Sequence, residues 1–188
     1  SVAPDYVVQP LLTVADQVPN TSDTNRTYQM IGIPDGLGAY RSECGDTVLF
    51  MNHELPRATV SQPNVGETAL RGAFVSRFIL DREAKVVSGE VAYDTVHDEE
   101  TGTVYPVATT NNATPGFARF CSGSLSYREA GFDRPIFFTG QESGGADTFD
   151  GKGGLAAVVF DRELHTLPKL GRFPWENSLA RPDAGAWT

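Results

Sequence analysis

The chain carries few of the side chains from which familiar catalytic patterns are built. Its three histidines, His53, His97 and His165, form no H-E-x-x-H phrase, and there is no G-x-S-x-G elbow or P-loop. Nothing therefore points to a zincin, an α/β-hydrolase or a P-loop nucleotide hydrolase. Cysteine is scarce. Cys44 and Cys121 are the only two, and their spacing matches no zinc motif. In an exported protein such a pair reads as one disulfide, but Cys121 serving as a metal ligand with Cys44 free is an equal reading. Positive charge is also short, with 15 bases against 24 acids and a net charge of −9. Binding nucleic acid needs clustered cations, so no nucleic-acid partner is expected. The acidity suits cation binding or solubility in salt. No apolar run approaches the ~20 residues of a membrane span. Helix signals are weak: Glu67–Phe74 reads as a turn or two of helix or as irregular chain.

Strand signals fill the space left by helices. Val48–Met51, Phe74–Leu80, Val86–Tyr93, Ile136–Thr139 and Leu155–Phe160 are rich in Val, Ile, Phe and Tyr and are bounded by Gly, Pro, Asp or Asn. Several are apolar on both faces, as in a packed interior. Asp81–Lys85 reads as a hairpin turn, and Asp161-Arg162-Glu163 as a second one before Leu164–Leu170. Thr95–Gly102 and Gly144–Gly154 read as polar loops. On that reading His97 is solvated and His165 ordinary. Residues 1–27 form an extended leading segment with one short apolar stretch at Val7–Val14, and 28–188 form the folded portion. The start, Ser1-Val2-Ala3-Pro4, has no initiator Met, as in a processed secreted chain or a trimmed one. The end, 181–188, reads as a chain interrupted between elements. Asn20, Asn25 and Asn112 head glycosylation-type triplets.

A repeat organises these strands. Val48–Glu54 (VLFMNHE) and Ile136–Glu142 (IFFTGQE) are both apolar runs that end in glutamate. Downstream, Phe78–Glu83 (FILDRE) is matched by Val158–Glu163 (VVFDRE). Glu54 and Glu142 lie 88 residues apart, and Asp81 and Asp161 lie 80 apart. One structural unit used twice, with an internal loop of different length, explains the drift. Glu54 and Glu142 are then expected to face a common axis, where two carboxylates need a cation, a proton or a substrate between them. Short strands, a repeat and few helices predict an all-β fold, a partial β-propeller of about two to three blades with long irregular loops.

Four phrases could carry chemistry. In the first, Asp35-Gly36-Leu37-Gly38 through Asn52-His53-Glu54, Gly36 and Gly38 permit a tight turn and close backbone approach, and a strand then delivers Asn52, His53 and Glu54 as possible metal ligands. Gly140–Gly145 repeats that position with Glu142, and Asp147 and Asp150 follow in a loop weakly suggestive of Ca²⁺. In Arg119–Ser124, a thiol beside an arginine suits a metal or an anion, or simply a structural turn. Phe173–Asn177 offers Trp175 and Glu176 as a pocket wall.

The runs Ile33–Tyr40 and Val48–Leu55, then Phe120-Cys121-Ser122, Thr139–Glu142 and Trp175-Glu176-Asn177, resemble in order the signatures of PhoX-type alkaline phosphatases. The resemblance spans roughly 28–180. It implies a secreted protein, extracellular or periplasmic, built as a β-propeller with calcium and iron on its axis and hydrolysing phosphate monoesters. It implies Glu54, Glu142 and Cys121 as metal ligands. Chemistry adds Arg119 as a clamp on the substrate phosphate. Relatives in that family are longer, and many have Glu where Gln141 stands. The chain is then expected to be one portion of a ring, completed by a second fragment or further copies. Two other functions fit the same fold: a non-catalytic, calcium-stabilised extracellular assembly subunit, and a calcium-dependent lactonase or esterase.

Overall fold

The computed structural model describes residues 8–182. The initial Ser1–Pro4, Val7 and the end of the chain from 183 lie outside them. The described residues contain fourteen strands and two short 3₁₀ turns, but no α-helix. Among the described residues no helix is long and apolar enough to cross a membrane.

Two antiparallel meanders form the frame. The first runs β3 (Pro34–Arg41), β4 (Thr47–His53), β7 (Phe74–Leu80) and β8 (Val86–Val91), side by side in that order. The second runs β11 (Phe120–Ser126), β12 (Ile136–Gln141), β13 (Ala156–Phe160) and β14 (Glu163–Thr166). These are the two copies of the repeat. β4 and β12 carry the glutamate-terminated phrases, and β7 and β13 the phrases that end in Asp-Arg-Glu. The eight-residue drift lies in the loop after the glutamate. The first copy carries an extra ribbon there, β5 (Val60–Ser61) paired with β6 (Leu70–Arg71). Glu67–Phe74 is therefore strand and loop. Both sheets are open.

The five strand runs read from sequence all lie in this frame, and three further strands were read otherwise. Thr95–Gly102 is not a loop. Thr95–Asp98 is β9, which hairpins with β10 (Thr103–Pro106) and joins the outer edge of the second meander, parallel to β14. Nor do Gly36 and Gly38 make a turn: both lie in β3. Arg119–Ser124 is largely strand β11 with a bulge between Phe120 and Gly123. The glycines serve close approach between units. A Cβ on Gly36 would sit 2.1 Å from the Gly123 nitrogen, and one on Gly38 2.7 Å from the Leu125 Cβ.

Both Asp-Arg-Glu phrases turn as expected. Asp81 accepts hydrogen bonds from the Glu83 and Lys85 amides at 2.9 Å each. Asp161 and Arg162 both have positive φ, 47° and 65°, which suits the right-handed twist of a two-residue hairpin.

The leading segment is tied down from residue 15, where the Ala15 amide donates to the Met30 carbonyl. β1 (Gln17–Pro19) pairs with β2 (Thr27–Gln29), and Asn20 bridges to Gly89 on β8. Tyr28 is fully buried, edge-on to Phe78 at 5.6 Å. The core lies between the two meanders. Phe50 of β4 stacks on Phe137 of β12 at 5.4 Å, with Phe120, Val159 and Leu164 buried on the same side, while Phe78 and Tyr28 fill the opposite face of the first meander. Each of these large side chains contributes on the order of 1.5–3 kcal/mol by leaving water. The core thereby fixes how the two units meet.

Candidate metal centre

β3 and β11 begin, and β4 and β12 end, at the same edge of the frame. Four strands from both copies of the repeat therefore deliver their terminal side chains to one place.

β4 shows how the sorting works. Successive side chains on a strand point to opposite faces. Asn52 is fully buried and turns toward β11. Its amide nitrogen donates to the carbonyls of Cys121 (2.7 Å) and Ser122 (3.0 Å), and its oxygen accepts from Thr139 Oγ1 at 3.1 Å. Both ends of its amide are engaged between β11 and β12, so it stitches the units together. His53 turns the opposite way. Its Nδ1 lies 3.3 Å from the Gly32 carbonyl and its Nε2 2.5 Å from Ser76 Oγ. A carbonyl can only accept, so Nδ1 carries the proton and Nε2 accepts from Ser76. Ser76 in turn accepts from the buried Tyr28 hydroxyl. Burial pulls the His53 pKa down to about 4, despite hydrogen bonds to Gly32 and Ile31 that oppose the shift. Of the three possible ligands on this strand, only Glu54 reaches the site.

Glu54 and Glu142 do face one another, and the cation between them belongs to the chain. Arg119 Nη2 lies 2.7 Å from Glu54 Oε1 and 3.1 Å from Glu142 Oε2, and its Nε donates to Glu54 at 2.8 Å. Its backbone repeats the link. The Arg119 amide donates to the Leu55 carbonyl at 2.8 Å, and its carbonyl accepts from the Glu142 amide at 2.9 Å. This double role holds Arg119 at φ 48°, a left-handed conformation costly for a residue with a Cβ. Hydrogen bonding and charge from Glu54, then charge from Glu142, hold the guanidinium more firmly protonated than usual. Arg119 was expected to clamp a phosphate. It is engaged by both glutamates, with 47% of its side chain still open to solvent.

Cys121 completes the cluster. Its thiol donates to Asp35 Oδ2 at 3.3 Å, and donor atoms of Asp35, Glu54 and Cys121 lie within 4.8 Å of one another. Burial, then hydrogen bonds to Asp35 and Glu142, push the thiol up to about 12. Without a cation it is a neutral donor. A bound cation reverses the balance, because coordination favours the thiolate. Beyond it, Ser122 Oγ donates to Glu176 Oε2 at 2.9 Å, so Glu176 enters the same edge. Of the two readings of the cysteines, the disulfide does not form: both are free. Cys121 sits beside the start of β3 and Cys44 follows its end, so most of the strand lies between them, roughly 20 Å at ~3.3 Å per residue, far beyond disulfide reach.

Counted together, Asp35, Glu54, Glu142 and Glu176 oppose one Arg119. The edge is anionic, so a phosphate ester arriving alone is repelled. The oxygen donors suit a hard ion such as Ca²⁺, and the sulfur suits iron. The donor set thus fits the metals that the resemblance implies.

Asp147 and Asp150 do not join. Asp150 is paired with Arg172 at 2.7 Å and belongs to no candidate ligand group. Asp35 opens the first phrase, but sequence alone assigns it no ligand role, because its partner Cys121 lies 86 residues away. Its signal was its place at the mouth of β3, next to the strand that ends in Glu54.

Comparison of the chain with protein-family models, with curated proteins and with solved structures gave no match.

Proposed function

We propose that this chain is a portion of a metal-dependent phosphoesterase of PhoX type that hydrolyses phosphate monoesters, with the Asp35–Glu54–Cys121–Glu142 edge as its metal-binding face. One observation carries the reading. Residues taken from five phrases scattered between 33 and 177 meet at a single edge where the two repeat units join. On this reading the two meanders are successive blades of a larger β-propeller, with β3 and β11 nearest its axis and calcium and iron bound there.

The residues divide the work by chemistry. Asp35, Glu54 and Glu142 offer carboxylate oxygens and Cys121 a sulfur to hold the metals. When bound, such metals supply charge that holds phosphate oxygens and stabilises the transition state, so no serine nucleophile is needed. Asn52 fixes the Cys121 and Ser122 carbonyls and hence the start of β11. Arg119 sets the spacing of the two glutamates. Its exposed guanidinium nitrogens remain available to a phosphate oxygen once cations have neutralised the carboxylates.

The test is phosphate release from p-nitrophenyl phosphate by the protein as isolated, reconstituted with Ca²⁺ and iron, alongside Glu54→Gln. Turnover lost in the variant is expected. A folded, metal-loaded protein that releases no phosphate defeats the proposal.

One observation favours a second reading. Arg119 already satisfies both glutamates and stitches the units through its backbone, as a purely structural junction would. In that case the chain is a calcium-stabilised assembly subunit. Ca²⁺ then raises the melting temperature without any hydrolysis.

A further inference from the structure

A second cluster of ligating side chains lies at the outer edge of the second meander, away from the edge just described. β14 and β9 run parallel with His165 opposite His97. Their neighbours Leu164 and Val96 are buried in the core, so alternation turns both imidazoles to the opposite face. The two rings stack at 4.2 Å and are 4° from parallel. Phe160 stacks on the far side of His165 at 4.9 Å.

Two carboxylates flank this stack. His165 Nδ1 lies 2.7 Å from Glu99 Oε1, and its Nε2 lies 3.1 Å from Glu163 Oε2. His97 Nε2 points at the same Glu163 oxygen from 3.5 Å, out of solvent and with no hydrogen-bond partner. Among the described residues, no lysine or arginine pairs with Glu99 or Glu163.

This arrangement is short of positive charge. A neutral imidazole has one N–H and one lone pair. His165 has a carboxylate oxygen at each nitrogen, so one lone pair faces an acceptor. Protonating His165 cures that contact but leaves His97 Nε2 to share the same Glu163 oxygen from 3.5 Å. Protonating both rings stacks two cations 4.2 Å apart. A divalent ion supplies the missing charge and takes lone pairs from both rings at once.

We propose that His97, His165 and Glu99, with Glu163 as a further oxygen donor, bind a zinc-class divalent cation at this edge. Donor atoms of His97, Glu99 and His165 already lie within 4.8 Å of one another. Two imidazoles with carboxylate suit zinc-class ions, whereas calcium prefers an all-oxygen shell. Imidazole lone pairs lie in the ring plane, so stacked rings cannot both point at one ion. Binding therefore turns one ring about its Cβ–Cγ bond. Glu99 is held ready by its amide, which donates to Thr166 Oγ1 at 3.0 Å. The site opens toward a shallow apolar pocket of about 460 Å³ lined by Phe160, Leu167, Pro168 and Leu170.

The test is calorimetric titration and native mass spectrometry of chelator-stripped protein with Zn²⁺ and then Co²⁺ at neutral pH. In a Cys121→Ser background, which removes the soft ligand of the other edge, one ion per chain is expected, unaffected by excess Ca²⁺, with Co²⁺ giving the intense visible absorption of a low-coordinate nitrogen–oxygen site. His165→Ala or His97→Ala should weaken binding about 100-fold or more, and so should Glu99→Gln, whose exposed position leaves the fold intact. Glu54→Gln should leave this affinity unchanged, which separates the site from the other cluster. Binding undiminished in the His97→Ala/His165→Ala double variant, loss in Glu54→Gln, or equal competition by Ca²⁺ overturns the proposal.

Discussion

Acid should weaken this fold through His53, by an amount that follows from its surroundings. The ring is fully buried. It sits in a directed chain in which Tyr28 donates to Ser76, Ser76 donates to Nε2, and Nδ1–H donates to Gly32. A proton on Nε2 would face the Ser76 hydrogen and force the chain to reverse, leaving the Tyr28 hydroxyl without an acceptor. Burial accordingly lowers the folded pKa from 6.5 to about 4. The sign follows from proton counting. Between those two values the unfolded chain binds the proton and the folded chain does not, so falling pH favours unfolding. Stability from a neutral His53 is fully present above pH ~6.5, and its loss is complete near pH ~4. At ~1.4 kcal/mol per unit the whole effect is about 3 kcal/mol, of which about 2 kcal/mol is gone by pH ~5. Urea unfolding at a series of pH values, on wild type and on His53→Gln, isolates this term, because every carboxylate contributes equally to both. The variant should lose about 2 kcal/mol less than wild type between pH ~7 and ~5. Identical pH dependence in the two proteins would refute the assignment of a neutral, buried ring.

Three other outcomes test the junction. Arg119→Met should lower the melting temperature by ~3–6 °C in chelator, because Glu54 and Glu142 then face each other unscreened. Millimolar Ca²⁺ should restore most of the loss, and a variant that melts like wild type in chelator denies Arg119 its role. Gly36→Ala should cost ~3 kcal/mol or more in urea unfolding, since the new Cβ meets backbone 2.1 Å away on Gly123. Gly66→Ala, with nothing within 4 Å, should cost only ~1 kcal/mol for its positive φ. Iodoacetamide at pH ~8 should label exposed Cys44 and leave Cys121 nearly untouched. With the Cys121 thiol pushed up to about 12, only roughly one molecule in ten thousand carries the thiolate. Equal labelling, read by peptide mass spectrometry, would contradict that protection.

Local signals made the repeat legible, and long-range pairing hid the rest. β4, β7, β12 and β13 are apolar runs with turn residues at their ends, and such runs declare themselves. β3 and β11 do not, because their glycines serve an approach between units that no window of sequence contains. β9 was hidden by its acidic neighbours, since Asp98-Glu99-Glu100 reads as loop when its partner β14 is 65 or more residues away. The same blindness covered His97 and His165. Each follows a core residue, Val96 or Leu164, in strand alternation, which was the available signal. Their meeting depends on a parallel pairing that topology alone decides. Glu54 and Glu142 were visible as a pair because the repeat equates them. That Arg119 fills the space between them was not, because its neighbourhood reads as a turn.

Unit docking and site assembly are one event in this molecule. Each meander supplies one glutamate; Arg119 already stands beside Glu142 in the second unit, and Glu54 gains its counter-charge only when that unit docks. The same approach brings Asn52 to the β11 carbonyls and Cys121 to Asp35, so the ligand group of Asp35, Glu54 and Cys121 does not exist in either unit alone. A cation that binds this group therefore binds only the docked state, and its binding free energy adds to the docking free energy. At a free concentration 100 times its dissociation constant, that contribution is about 2.7 kcal/mol. That is comparable to burying one of the phenylalanines between the sheets. Metal dependence of stability and any metal dependence of activity should consequently share one midpoint. Separate midpoints would mean that the ions that matter for chemistry bind somewhere other than this edge.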